Sequence, residues 1–336
     1  MNDRNELVDC LKGYACLLVV FGHVIMGLRQ AGGDIPGFEY PTELFIWTYH
    51  VSLFFFLSGY VYKITKKWEP KGSRLKFISY KFINLAVPYF SISTLYILAN
   101  SLTSGTNTNF SVSDIFLLWK TPVAQYWYIY ALFILLFLYA VLSKVGSDIA
   151  ITAFLVLLVY IRAFVYNFNL PILGIALGHA FCFGLGVCLP DIQYFNRKNM
   201  LPLLIAAHVA SVALIFSLQL NDIVPFKDYM KLIGIATSVS LIGFLSENKT
   251  IRKALLFINK WCFQIYLLHT FFTSAIRILM IKLSIQNFYL QTILGMVIGL
   301  AFPILIGWCC SKTVVFNIIF FPTRTVKQLK KEYITK

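Results

Sequence analysis

Two residues able to handle protons or charge lie eleven positions apart in one apolar stretch, LVDCLKGYACLLVVFGHVIMGL, which holds Lys12 and His23. At 100° per residue, eleven steps make three turns plus about 20° with a rise of about 16 Å, so both side chains share one helix face at different depths. An ionisable group inside an apolar span is costly in lipid, so that face is expected to line a polar cavity, where an imidazole can exchange a proton near neutral pH. Lys12 also fits two plainer roles: an interfacial anchor, or a partner for Asp9 at i,i+3. His50 opens the next apolar run, in WTYHVSLFFFLSGY, and the short connection between the runs brings it to the layer of His23. His269 follows Tyr266 at i,i+3 in IYLLH, which lets the two share a cavity face. His179 and His208 fit no pattern and read as structural.

The elements that must position these residues are membrane helices. The chain is 59% hydrophobic and 13% charged over 336 residues, and its apolar runs recur along the whole length at about the 20 residues a spanning helix needs. The expected fold is an all-α integral membrane bundle of about ten transmembrane helices, at 7–28, 44–64, 77–100, 126–143, 149–166, 171–189, 201–219, 229–246, 261–281 and 290–321. Pro303 predicts a kink in the last of these, or an interfacial helix after Lys312. Residues 1–336 read as a single membrane domain with a short basic tail at about 322–336.

A net charge of +15 raises the possibility of nucleic acid, but the positions of the charges argue against it. With the N-terminus inside, cytoplasmic segments gather 21 of the 29 Lys and Arg residues, which puts both termini in the cytoplasm. The expected location is the plasma (inner) membrane, as a multi-pass protein. The first helix is too long for a cleavable signal peptide. Seven cysteines without a CxxC pair predict neither a disulfide framework nor a metal site. Gly295 and Gly299 form a GxxxG, a pattern that also packs helices between chains.

These motifs together resemble the acyltransferase-3 family of integral membrane acyltransferases. Lys12 to His23 is similar to the family's first-helix signature of a basic residue, ten others and histidine. HVSLFFFLSGY (His50 to Tyr60) is similar to its second-helix motif, and WYIYAL (from Trp127) and IYLLH (to His269) to its fourth-span and late-span motifs. The family often carries two arginines at i,i+3 before a proline in the third helix, proposed to hold the acyl-CoA donor. Here those positions are Lys81 and Asn84, ahead of Pro88, with Arg74 and Lys76 upstream. A lysine meets phosphate as a point charge and lacks the bidentate fork of arginine.

The resemblance implies an O-acyltransferase that moves an acyl group, foremost acetyl from acetyl-CoA, to a hydroxyl of a sugar, a surface polysaccharide or its lipid-linked precursor. His23 is then the general base, Lys12, Arg74, Lys81 and Asn84 the donor site, and His50, Trp127, Tyr266 and His269 the substrate site. Direct transfer and relay through an acyl-histidine both fit these residues. No permanently bound cofactor and no metal are expected, since acyl-CoA enters as a substrate. The expected partners are the bilayer, acyl-CoA, the saccharide acceptor and an extracytoplasmic transferase if this chain does not finish the reaction. The competing reading is a proton-coupled transporter or flippase for a polysaccharide precursor or small anion. That reading favours carboxylates within spans and broken helices, and Asp9 is the one acidic residue well inside a predicted span.

Overall fold

The computed structural model describes residues 5–32, 45–65, 74–160, 171–218 and 224–334, with no side-chain description at 171, 216, 224–227, 314–316 and 329–334. Among them the regular structure is entirely helical: α1 (Glu6–Gln30), α2 (His50–Thr65), α3 (Arg74–Ser101), α4 (Trp127–Leu142), α5 (Asp148–Tyr160), α6 (Pro171–Gly178), α7 (Ala180–Cys188), α8 (Leu201–Leu218), α9 (Val224–Leu245), α10 (Lys249–Lys282), α11 (Phe288–Ser311), α12 (Val314–Phe320) and α13 (Pro322–Ile334), with short 3-10 turns between some of them. Among the described residues, seven helical stretches are long and apolar enough to cross a membrane: Glu6–Gln30, Arg74–Ser101, Ala124–Leu142, Ile192–Ile215, Asp228–Leu245, Lys249–Lys282 and Phe288–Ser311. The protein is a multi-pass membrane protein. Ten passes would need α2, α5 and the α6–α7 pair to cross as well.

The centre of the bundle is a parallel pair, α1 and α10. Contacts keep the same order along both helices, from Glu6 with Arg252 at 3.8 Å, through Cys16 with Cys262, to Gly27 with Arg277. Gly13 permits this closeness, because a Cβ there would run into the backbone carbonyl of Leu255. A second close crossing joins α2 to α7 reciprocally: Gly59 faces the carbonyl of Phe183, and Gly186 faces that of Phe56. Gly295 and Gly299 are used inside the chain, since α11 lays them against Val24 of α1 and against Thr273 of α10 with Val20 of α1. All seven cysteines are free thiols.

Four boundaries depart from the sequence reading. α10 starts twelve residues before the predicted span, because Asn248 caps it by accepting from the amides of Thr250 and Ile251. The predicted span 171–189 divides at His179, which leaves helical dihedrals at φ −109° and ψ 2°. The carbonyl of Gly178 beside the break accepts from Lys231 Nζ at 3.0 Å. α9 starts ahead of the predicted span and includes Asp228, so Asp9 is not the sole buried carboxylate: Asp228 is 8% exposed and paired with Lys231 at 2.8 Å. The basic tail is helical. Its α13 docks on α3, where Thr323 donates to Asn84 Oδ1 at 2.9 Å and Lys327 lies over the ring of Tyr80.

Candidate active site

A cavity of about 680 Å³ lies along the α1–α10 pair. Lys12, Val19, His23, Met26, Gly27 and Gln30 of α1 line it, as do Asn259, Cys262, Tyr266, Thr270, Thr273 and Arg277 of α10. From Lys12 to Gln30 the helix rises about 27 Å, close to the thickness of a bilayer's hydrocarbon core. Residues four, three or seven apart keep to one face of a helix, which is why one stripe of α1 supplies the wall over that distance.

His23 stands two-thirds of the way along the stripe, and two further imidazoles approach it. His269 lies behind it on α10, with ring centroids 5.0 Å apart. His269 is fully buried, and its Nδ1 is 2.8 Å from the carbonyl of Ile265 and 3.0 Å from that of Tyr266. A carbonyl only accepts, so Nδ1 carries a proton, and Nε2, without a partner, is the lone-pair nitrogen of the neutral ring. His50 is held the same way, its Nδ1 donating to the carbonyl of Ile46 at 2.8 Å, while the residue lines the cavity. Trp47 stands between the two cavity histidines, with ring centroids 5.8 Å from His23 and 5.3 Å from His50.

Trp127, Tyr128 and Tyr266 complete the middle of the wall. The two tyrosines are held by hydrogen bonds. Tyr266 Oη donates to the Gln125 carbonyl at 2.6 Å, and Tyr128 Oη lies 3.3 Å from Ser58 Oγ. Gln125 Nε2 donates to Thr270 Oγ1 at 2.7 Å. The turn presenting these groups to the cavity contains Ala124 at φ 46°, a left-handed conformation that costs a side-chain-bearing residue about 1–2 kcal/mol. His179 is stacked between Phe55 and Trp127 outside the cavity, with centroids 4.4 and 5.6 Å away, and so covers one face of that tryptophan. His208 packs on Phe45 and Tyr49, also outside it.

The end of the cavity marked by Lys12 is basic. The ammonium of Lys81 is close enough to that of Lys12 for the two to repel, and it lies 5.6 Å from the Phe77 ring centroid. Asn84 is engaged elsewhere, donating to the Tyr80 carbonyl and accepting from Thr323. Arg74 Nε donates to Ser143 Oγ at 3.4 Å, and neither residue lines the cavity. The structure therefore brings together Lys12, His23, His50, Trp127 and Tyr266, with His269 against His23 behind the lining, while Lys81, Asn84 and Arg74 do not line the cavity.

Sequence reasoning passed over Trp47, Asn259 and Arg277. Trp47 precedes His50 by three residues, the spacing that puts side chains on one helical face. Arg277 is an arginine within an apolar run, a signal for function in its own right.

Ionisable and aromatic side chains around a cavity of membrane depth define a multi-pass membrane protein with a buried site for polar chemistry. The family model described as Acyltransferase domain, Acyl_transf_3, matches residues 5–311, and the chain belongs to this acyltransferase-3 family. It is a membrane acyltransferase. No curated protein and no solved structure matches the chain.

Proposed function

We propose that this protein carries an acyl group, acetyl from acetyl-CoA, to a hydroxyl of a sugar, a surface polysaccharide or its lipid-linked precursor, with His23 as general base. The observation that carries the reading is the cavity itself, which follows α1 from Lys12 to Gln30 and has His23 on its wall. With the N-terminus in the cytoplasm, an anionic donor meets the Lys12–Lys81 end, and an acceptor reaches His23 from the Gln30 end. A neutral imidazole nitrogen of His23 takes the hydroxyl proton as the oxygen attacks the thioester carbonyl. The new C–O bond forms, the C–S bond breaks, and the imidazolium returns its proton to the departing CoA thiolate. His269, behind His23 and outside the cavity lining, is a positioning residue. Its bare Nε2 favours the His23 rotamer whose N–H turns towards it, leaving the other nitrogen for the substrate.

The test is a thermal-shift titration of the purified, detergent-solubilised protein with acetyl-CoA, combined with an acetyl-transfer assay. A donor at a hundred times its Kd stabilises the native state by about 2.7 kcal/mol. The shift is expected to survive in His23→Ala and to vanish in Lys81→Ala, while transfer by His23→Ala falls by about 10²–10⁴. An absent shift with acetyl-CoA, or full-rate transfer by His23→Ala, would sink the reading.

A further inference from the structure

Arg277 is 7% exposed, yet it lines the end of the cavity opposite Lys12 and Lys81. Its Nη1 donates to the carbonyl of Gly27 at 3.0 Å, and its Nε has no partner. No carboxylate among the described residues pairs with it. A buried charge without a counter-ion is expensive, and a guanidinium carries five donors arranged for a planar oxyanion. The neighbouring lining is neutral and rich in hydrogen-bonding groups: Gln30, Tyr96, Asn100, Asn107 and Thr108. Gly27 also makes room for the guanidinium, since a Cβ there would stand 2.6 Å from Arg277 Nη1.

We propose that Arg277 receives the oxyanion of an acidic saccharide acceptor, either a sugar carboxylate or the diphosphate that joins a saccharide to its lipid carrier. The inference rests on the acyltransfer reading and deepens it by naming the acceptor's class. The anchoring carbonyl, Gly27, is four residues beyond His23, a rise of about 6 Å, on the order of one sugar unit. An oxyanion on Arg277 thus leaves a hydroxyl of the same or the adjoining sugar at the imidazole. The amides and hydroxyls around it suit the uncharged remainder of a saccharide. The cationic groups at the other end of the cavity are left to the donor.

The experiment measures binding of three probes to the full-length solubilised protein by thermal shift: trigalacturonate, inorganic pyrophosphate and neutral chitotriose. The unaltered protein is expected to bind at least one oxyanion probe tenfold or more tightly than chitotriose. Arg277→Gln should weaken that probe at least tenfold, and Arg277→Lys should weaken it less. A stronger response to trigalacturonate identifies an acidic sugar as the ligand, and a stronger response to pyrophosphate identifies a diphosphate-linked carrier. Equal binding of oxyanion and neutral probes, undiminished binding by Arg277→Gln, or loss in Lys81→Ala in place of Arg277→Gln would overturn the proposal. Acetyl transfer from acetyl-CoA by the unaltered protein is measured separately, so a failed acyltransfer reading is distinguished from a failed anion site. Arg277→Gln is expected to fold, because Asn107 Nδ2 also donates to the Gly27 carbonyl, at 3.0 Å.

Discussion

Lys231, its side chain 14% exposed, and Arg277, 7% exposed, are two largely buried cations on the side of the bundle away from the start of α1, and the protein treats them differently. Lys231 is neutralised by Asp228 at 2.8 Å and gives a further hydrogen bond to Gly178, while Asp228 Oδ2 accepts from Tyr160 at 3.2 Å. Arg277 has one carbonyl and a cavity. Lys231 closes a structural gap, since the carbonyl it takes lies beside the break between α6 and α7. Arg277 closes none that Asn107 does not already serve. A cation whose partners are all protein groups holds helices together, whereas one that faces open volume with donors to spare is suited to a ligand.

The contrast predicts its largest effect at the paired site. Asp228→Ala leaves Lys231 buried without its counter-ion and is expected to cost about 3–5 kcal/mol, read as a lower unfolding midpoint in detergent. Replacing both partners, Asp228→Leu with Lys231→Met, should recover most of that loss, because an apolar pair of similar volume often matches a buried ion pair. Recovery confined to the double variant would identify the pair as scaffold. A stable Asp228→Ala single variant would remove the contrast with Arg277.

His269 gives the next effect. It touches the imidazole of His23 and does not line the cavity, so His269→Gln should lower kcat by about tenfold to a hundredfold through lost orientation, with the KM for acetyl-CoA unchanged. A purely structural role would lower the amount of folded enzyme and leave the kcat of the folded fraction and its pH–rate profile as they were. The same substitution at His179, which is stacked away from the cavity, provides the matched comparison.

How much of this was legible in the sequence follows from the range of the forces involved. Helical periodicity is local, so the shared face of Lys12 and His23 could be read directly, and both line one cavity. The pairing of α1 with α10 could not be read, because it joins residues about 240 positions apart through a contact that Gly13 permits. Consequently His269 was expected at the substrate and stands behind His23. The break at His179 was hidden for another reason: a uniformly apolar run conceals a lost helical turn whose freed carbonyl is satisfied by a lysine on another helix. Lys81 was expected at the donor site from the family resemblance, and it is near enough to Lys12 for the two charges to repel. Asn84 was placed with it by the resemblance to the family's arginine pair, and its amide is taken up by Tyr80 and the tail helix, a contact spanning 239 positions.

The smallest effect on stability is expected at Arg277, and it is the sharpest division between the two cations. Without ligand, Arg277→Gln loses one charge-assisted hydrogen bond to Gly27, a net contribution of about 1.5–3 kcal/mol, and also removes a buried charge whose desolvation opposes folding. The two terms have opposite signs, so the unfolding midpoint should lie within about 1 kcal/mol of the unaltered protein, well short of Asp228→Ala. Adding a saturating oxyanion ligand should separate the proteins again, because stabilisation through ligand binding is available only where the guanidinium is present. A ligand-free loss as large as that of Asp228→Ala would make Arg277 a structural cation of the same kind as Lys231. A near-silent substitution that abolishes ligand-induced stabilisation would mean that this charge is kept in the membrane for what it binds.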